Sequence, residues 1–89
     1  MLYDILRRLE LEGSMGACSI VLSRDSAPDN RMMIFGREVL SFNQHHIVFR
    51  GGESGYEEFR APLESVFMVE AGGHALFRRS PRIQKVYPR

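Results

Sequence analysis

The residues able to do chemistry are few and scattered. His45 and His46 are adjacent, but successive side chains on a strand point to opposite faces. No further His, Cys or carboxylate stands at a recognised ligand spacing from them, so the pattern predicts no metal site. Glu57 and Glu58 alternate in the same way, which argues against a carboxylate dyad. The run Gly51-Gly52-Glu53-Ser54-Gly55 lacks the Gly-Lys-Ser/Thr ending of a phosphate-binding loop and opens no helix, so it reads as a turn. His74 sits beside another turn and reads as a surface residue. Nothing resembles a nucleophile elbow or a paired general acid and base. The expectation is a chain that is not an enzyme and carries no cofactor.

The arginines are more informative. They make up eleven of the 12 basic residues, and a planar guanidinium grips phosphate or carboxylate with a geometry lysine cannot copy. Residues 1–77 hold seven Arg and no Lys against eleven acids, whereas residues 78–89 hold Arg78, Arg79, Arg82, Lys85 and Arg89 with no acid. The formal net charge of +1 therefore conceals an acidic body with a basic end. Arg24 and Arg31 flank one polar loop, Arg50 and Arg60 fall on adjoining strands, and Arg78 and Arg79 lead into the basic end. Arg24, Arg31, Arg78, Arg79 and Arg82 form the candidate phosphate-binding set, with Tyr56, Tyr87 and His46 as candidate stacking partners. If all five terminal cations met single-stranded phosphates, log affinity against log salt would slope at about −3.5.

The elements that must position these residues follow from periodicity. Leu2, Ile5, Leu6 and Leu9 recur at helical spacing within Met1 to Glu12, and Gly13 supplies a stop. From Ala17 the period becomes alternating, with Cys18, Ile20 and Leu22 on one face; Cys18 reads as a small buried hydrophobe. Arg24 to Arg31 reads as a loop, and Met32 to Phe42 as a strand region bent at Gly36. Asn43 and Gln44 turn the chain into His46–Arg50. A further strand covers Tyr56–Arg60, Pro62 breaks the ladder before Ser65–Ala71, and Gly72-Gly73 makes a two-residue hairpin into His74–Arg79.

These segments predict an α+β class: an N-terminal helix followed by five or six short antiparallel strands forming a curled sheet or small barrel, with an open sheet crossed by the helix as the alternative. Residues 1–79 read as a single domain and 80–89 as a basic C-terminal extension. Apolar residues at 44% and charged residues at 26% exclude disorder and collagen-like repeats. One cysteine excludes a disulfide scaffold and points to a reducing compartment. The first twelve residues, with an acid at position 4 and a basic pair inside the apolar pattern, do not form a secretory signal. A cytoplasmic protein without a membrane partner is expected.

Taken as an order of segments, residues 2–79 resemble a small, mainly archaeal family, the RNA cyclic-group end recognition domains. The resemblance rests on Leu2-Tyr3-Asp4-Ile5-Leu6-Arg7-Arg8-Leu9, Leu22-Ser23-Arg24-Asp25, the polar residues before Met32-Met33-Ile34, His46-Ile47-Val48-Phe49, Ala61-Pro62-Leu63-Glu64-Ser65-Val66, and Ala75-Leu76-Phe77-Arg78-Arg79. It implies a module that recognises RNA ends bearing a phosphate or cyclic phosphate, in RNA repair or processing. Where members show His-Arg-Gly after the first strand, Ser23-Arg24-Asp25 keeps the Arg. Where they show Pro, an aromatic, His and Arg, Pro62-Leu63-Glu64-Ser65 keeps the Pro and places an acid at the family's His. The leading expectation is a noncatalytic RNA-binding module. The other is a protein-interaction module, with a protein partner or a homo-oligomer formed through an exposed strand edge and no nucleic acid.

Overall fold

The computed structural model describes residues 1–24 and 27–79, the side chains of 24 and 27–30 excepted. Helix α1 spans Leu2–Leu11 and buries Leu2, Leu6 and Leu9, the stripe its spacing predicts. It ends at Gly13, whose φ of 74° lies in the left-handed region that a side chain disfavours. Seven strands follow: β1 (Cys18–Arg24), β2 (Ala27–Phe35), β3 (Val39–Phe42), β4 (His46–Gly51), β5 (Glu57–Pro62), β6 (Val66–Ala71) and β7 (His74–Arg78). They pair antiparallel throughout, in a four-stranded sheet ordered β2-β1-β6-β7 and a three-stranded sheet ordered β3-β4-β5.

The α+β class therefore holds, but among the described residues the strands number seven rather than five or six. The strands form two sheets, and among the described residues these do not close into a barrel. The physical reason lies at Gly36. A tight 3-10 turn, Gly36–Glu38, divides the expected Met32–Phe42 region and sends its halves to different sheets. Gly36 is buried where a Cβ would overlap the carbonyl of Met15 and stand 2.6 Å from Cys18 Sγ. The expected loop from Arg24 to Arg31 is also mostly strand. Ser23 pairs with Arg31 and Arg24 with Ala27 across a register irregularity, and Pro28 is tolerated because β2 is an edge strand.

One apolar core joins the helix to both sheets. Leu6, Ile20, Leu22, Ile47, Val66 and Val69 are fully enclosed. The ring of Tyr3 on α1 meets Phe42 on β3 edge-on at 5.7 Å, so the helix reaches the smaller sheet as well as β7 of the larger. Another 3-10 turn, Leu63–Ser65, carries the chain from β5 to β6 with Leu63 buried. The β6–β7 hairpin turns on Gly72 and Gly73, with φ of 60° and 81°, as the two-residue Gly-Gly signal predicts. Residues 80–89, the expected basic extension, lie outside the described residues.

Candidate nucleic-acid interface

Strand alternation decides which side chains leave the core. Cys18, Ile20 and Leu22 point inward from β1, so Ser19, Val21 and Ser23 point outward. Register then defines the outer face of the four-stranded sheet. One row across it reads Met33, Val21, Met68, Arg78, and the next reads Phe35, Ser19, Glu70, Ala75. A bulge in β6 places Phe67 on this face beside Met68, because Val21 faces Met68 while Leu22 faces Val66.

Two members of the candidate set share this face. The guanidinium of Arg31, on edge strand β2, lies 5.1 Å from the centroid of the Phe67 ring. Arg78, on the opposite edge strand, stands across from Met68 and is exposed. Three strand spacings, about 14 Å, separate the two strands that carry them. The exposed apolar side chains lie on the edge strands themselves, Met33 57% and Phe35 41% exposed on β2 and Leu76 41% on β7, with Val21 and Met68 on the two strands between. Glu70, half-buried, is the acid in the two rows.

The rest of the set does not join them. Arg79 follows Arg78 and so falls on the other side of the strand. Its guanidinium lies 5.0 Å from the Phe77 ring and donates to the backbone carbonyl of Glu64. It lines an open depression of about 380 Å³ shared with Tyr3, Asp4, Gln44 and Glu64, where two carboxylates oppose a phosphate. Arg24 stands at the end of β1 opposite Ala27, with its side chain outside the description. Arg82 lies outside the described residues. Of the expected stacking residues, Tyr56 is exposed beyond the start of β5, and His46 faces outward from the smaller sheet beside Pro62. Tyr87 lies outside the described residues.

Sequence reasoning missed one cation here. Arg37 lies with its guanidinium 4.9 Å from the Phe35 ring, at the margin of the same face. The signal was the pair Phe35 and Arg37 two residues apart, a spacing that leaves both on one side of a strand as well as of the turn. A group of three or more His, Cys, Asp or Glu side chains able to hold a metal is not found among the described residues. His45 and His46 serve the β3–β4 turn, their backbone N–H groups donating to Asn43 Oδ1 at 2.7 and 2.8 Å. Cys18 faces inward and its Sγ donates to the Met15 carbonyl at 3.0 Å; burial pushes its thiol above the ordinary range, against only partial opposition from backbone hydrogen bonds. That suits a packing role rather than a nucleophile.

Comparison with protein-family models, curated proteins and solved structures returns no match. Function must therefore be argued from this face itself. No described helix is long and apolar enough to cross a membrane.

Proposed function

We propose that this chain is a noncatalytic RNA-binding module whose contact surface is the outer face of the four-stranded sheet. The observation that carries the reading is the placement of Arg31 and Arg78 on opposite edge strands of one face, with Arg37 stacked on exposed Phe35 at its margin. Guanidiniums at the rim would take phosphates, while Phe35 and the other apolar side chains of this face would take the faces of unpaired bases. An A-form duplex would instead present phosphates and 2′-hydroxyls to a face that needs bases, so single strands are the fitting substrate class. A preference for phosphorylated or cyclic-phosphate ends draws its support from the short-segment resemblance of residues 2–79.

Three phosphate contacts through Arg31, Arg37 and Arg78 correspond to a log–log salt slope of about −2. Fluorescence anisotropy of short single-stranded RNAs ending in 3′-hydroxyl, 3′-phosphate or 2′,3′-cyclic phosphate, at several salt concentrations, tests this. Phe35→Ala should weaken binding about tenfold, within the range for loss of one stacked base. Absence of binding at low salt would sink the reading. A protein ligand is the second reading, favoured by Met33, Met68 and Leu76 together with arginines on a face without lysine, the composition of protein interfaces.

A further inference from the structure

The four sheet edges are not equivalent. Edge strand β3 is four residues long, and its pairing with β4 shifts register between Val39 and Ser41. The pairing of edge strand β7 with β6 shifts between Val69 and Glu70, and that of β2 with β1 between Ser23 and Arg24. Edge strand β5 differs: Glu57 to Pro62 pair with β4 from Gly51 to His46 with no shift. Bulges and short length are common ways of blunting an edge against unwanted pairing. This edge has neither; its protection is charge of both signs and Pro62, which oppose a chance strand but not a partner of complementary sequence, and Glu57 to Arg60 are all exposed.

The direction of its free backbone groups follows from one hydrogen bond. Leu63 N–H donates to the carbonyl of His45 at 2.8 Å, one step beyond the His46–Pro62 pair. Antiparallel pairs alternate between those that exchange hydrogen bonds and those that do not. Ala61, Phe59 and Glu57 therefore turn their backbone groups toward β4, and Glu58 and Arg60 turn theirs to the open side. Pro62, which has no N–H to offer, would be the third outward position.

We infer that two copies of this chain pair antiparallel through β5, about a two-fold axis at Phe59. In that register Glu58 of each copy faces Arg60 of the other. The two pairs exchange four backbone hydrogen bonds, none of which needs the missing donor of Pro62. Each pair also sets opposite charges directly across strands. Within one copy Arg50 already stands across from Glu58, so Glu58 lies between two cations in a row running over the joined sheets. Phe59, 40% exposed and stacked on Phe49 at 5.7 Å, meets its own copy at the axis. Moving the axis by one residue sets Glu58 against Glu58 or Arg60 against Arg60. The Phe59 register is thus the one in which charge and hydrogen bonding agree, and the product is a continuous six-stranded sheet. The inference stands apart from RNA binding, which concerns the other sheet.

The test uses the full chain and a charge exchange, with sedimentation equilibrium up to about 1 mM protein. Wild type should be a dimer in the upper part of that range. Glu58→Arg alone and Arg60→Glu alone each place like charges across the axis, and each should weaken association at least tenfold. An equimolar mixture of the two variants restores both opposite-charge pairs and should recover the dimer, which shows that each variant is folded. A wild-type monomer throughout the range would overturn the inference. So would a dimer unaffected by either substitution, or a mixture no more associated than its components.

Discussion

The two sheets share one core and differ in what they leave outside it. The four-stranded sheet has irregular edges and a broad outer face of Met33, Val21, Met68 and Phe35 rimmed by Arg31, Arg37 and Arg78. The three-stranded sheet has a regular edge, and the outer face of its β4–β5 ladder alternates charge, Arg50 against Glu58, with Arg60 beside Val48. A bulge is the physical source of part of the contrast. In β6 it sets Phe67, buried under the Arg31 guanidinium, next to Met68, whereas the unbroken β4–β5 ladder keeps strict alternation and leaves backbone groups aligned along its margin. This difference underlies the two proposals above, one placing a ligand on the face of the larger sheet and the other a second copy on the edge of the smaller.

The joint between them is the place to break the comparison with the largest effect. Gly36 turns the chain from β2 into β3 while seated against Met15 and Cys18. Gly36→Ala forces a Cβ into a backbone carbonyl that cannot swing aside, and should cost about 3 kcal/mol, the upper part of the overpacking range. Urea unfolding followed by circular dichroism measures it. Because the core is shared, loss should be a single transition; two transitions would mean that the sheets fold as separate units.

That same joint shows where legibility ended. α1, the alternation of Cys18, Ile20 and Leu22, and the Gly72-Gly73 hairpin were readable because each is dictated within a few residues. The division of Met32–Phe42 was not, because Ile34, Phe35, Val39 and Phe42 keep a strand-like composition through the turn. What fixes the turn is contact between Gly36 and Met15, some twenty residues apart in the chain. The candidate site was partly readable for a related reason. Period-two alternation already implies that Arg78 and Arg79 cannot share a face, yet which of them points outward depends on the β6–β7 register shift and on the capture of Arg79 by the Glu64 carbonyl. Arg31 could be placed over Phe67 only once the bulge was known.

A smaller effect sharpens the division of labour. Arg78 and Arg50 are both exposed strand arginines, on the larger and smaller sheet respectively. Replacing either by Ala should change stability by no more than about 0.5 kcal/mol. Arg78→Ala should flatten the RNA salt slope by about 0.7, the share of one phosphate contact, and Arg50→Ala should leave it unchanged. Equal changes from both would mean that RNA meets the whole surface electrostatically and that the outer face of the larger sheet has no special role.

The smallest effect concerns the inner side that the two sheets share. Cys18 is 1% exposed, its thiol hydrogen-bonded to the Met15 carbonyl beside Gly36. Burial disfavours the thiolate, so its folded pKa lies above the ordinary value of 9.0. The unfolded chain therefore releases this proton first as pH rises. The stabilisation is complete below the unfolded pKa, shrinks above it, and is lost as pH climbs through the folded pKa. Cys18→Ala removes the titrating group along with some packing. Its unfolding free energy should start lower than that of wild type at pH 7 and fall less steeply above about pH 9. Urea titrations of both proteins across that range isolate the cysteine, because every other group titrating there is common to the two. Parallel curves would mean that the thiol reaches solvent in the native state, and hence that the seam between the sheets at Gly36 is more open than its packing requires.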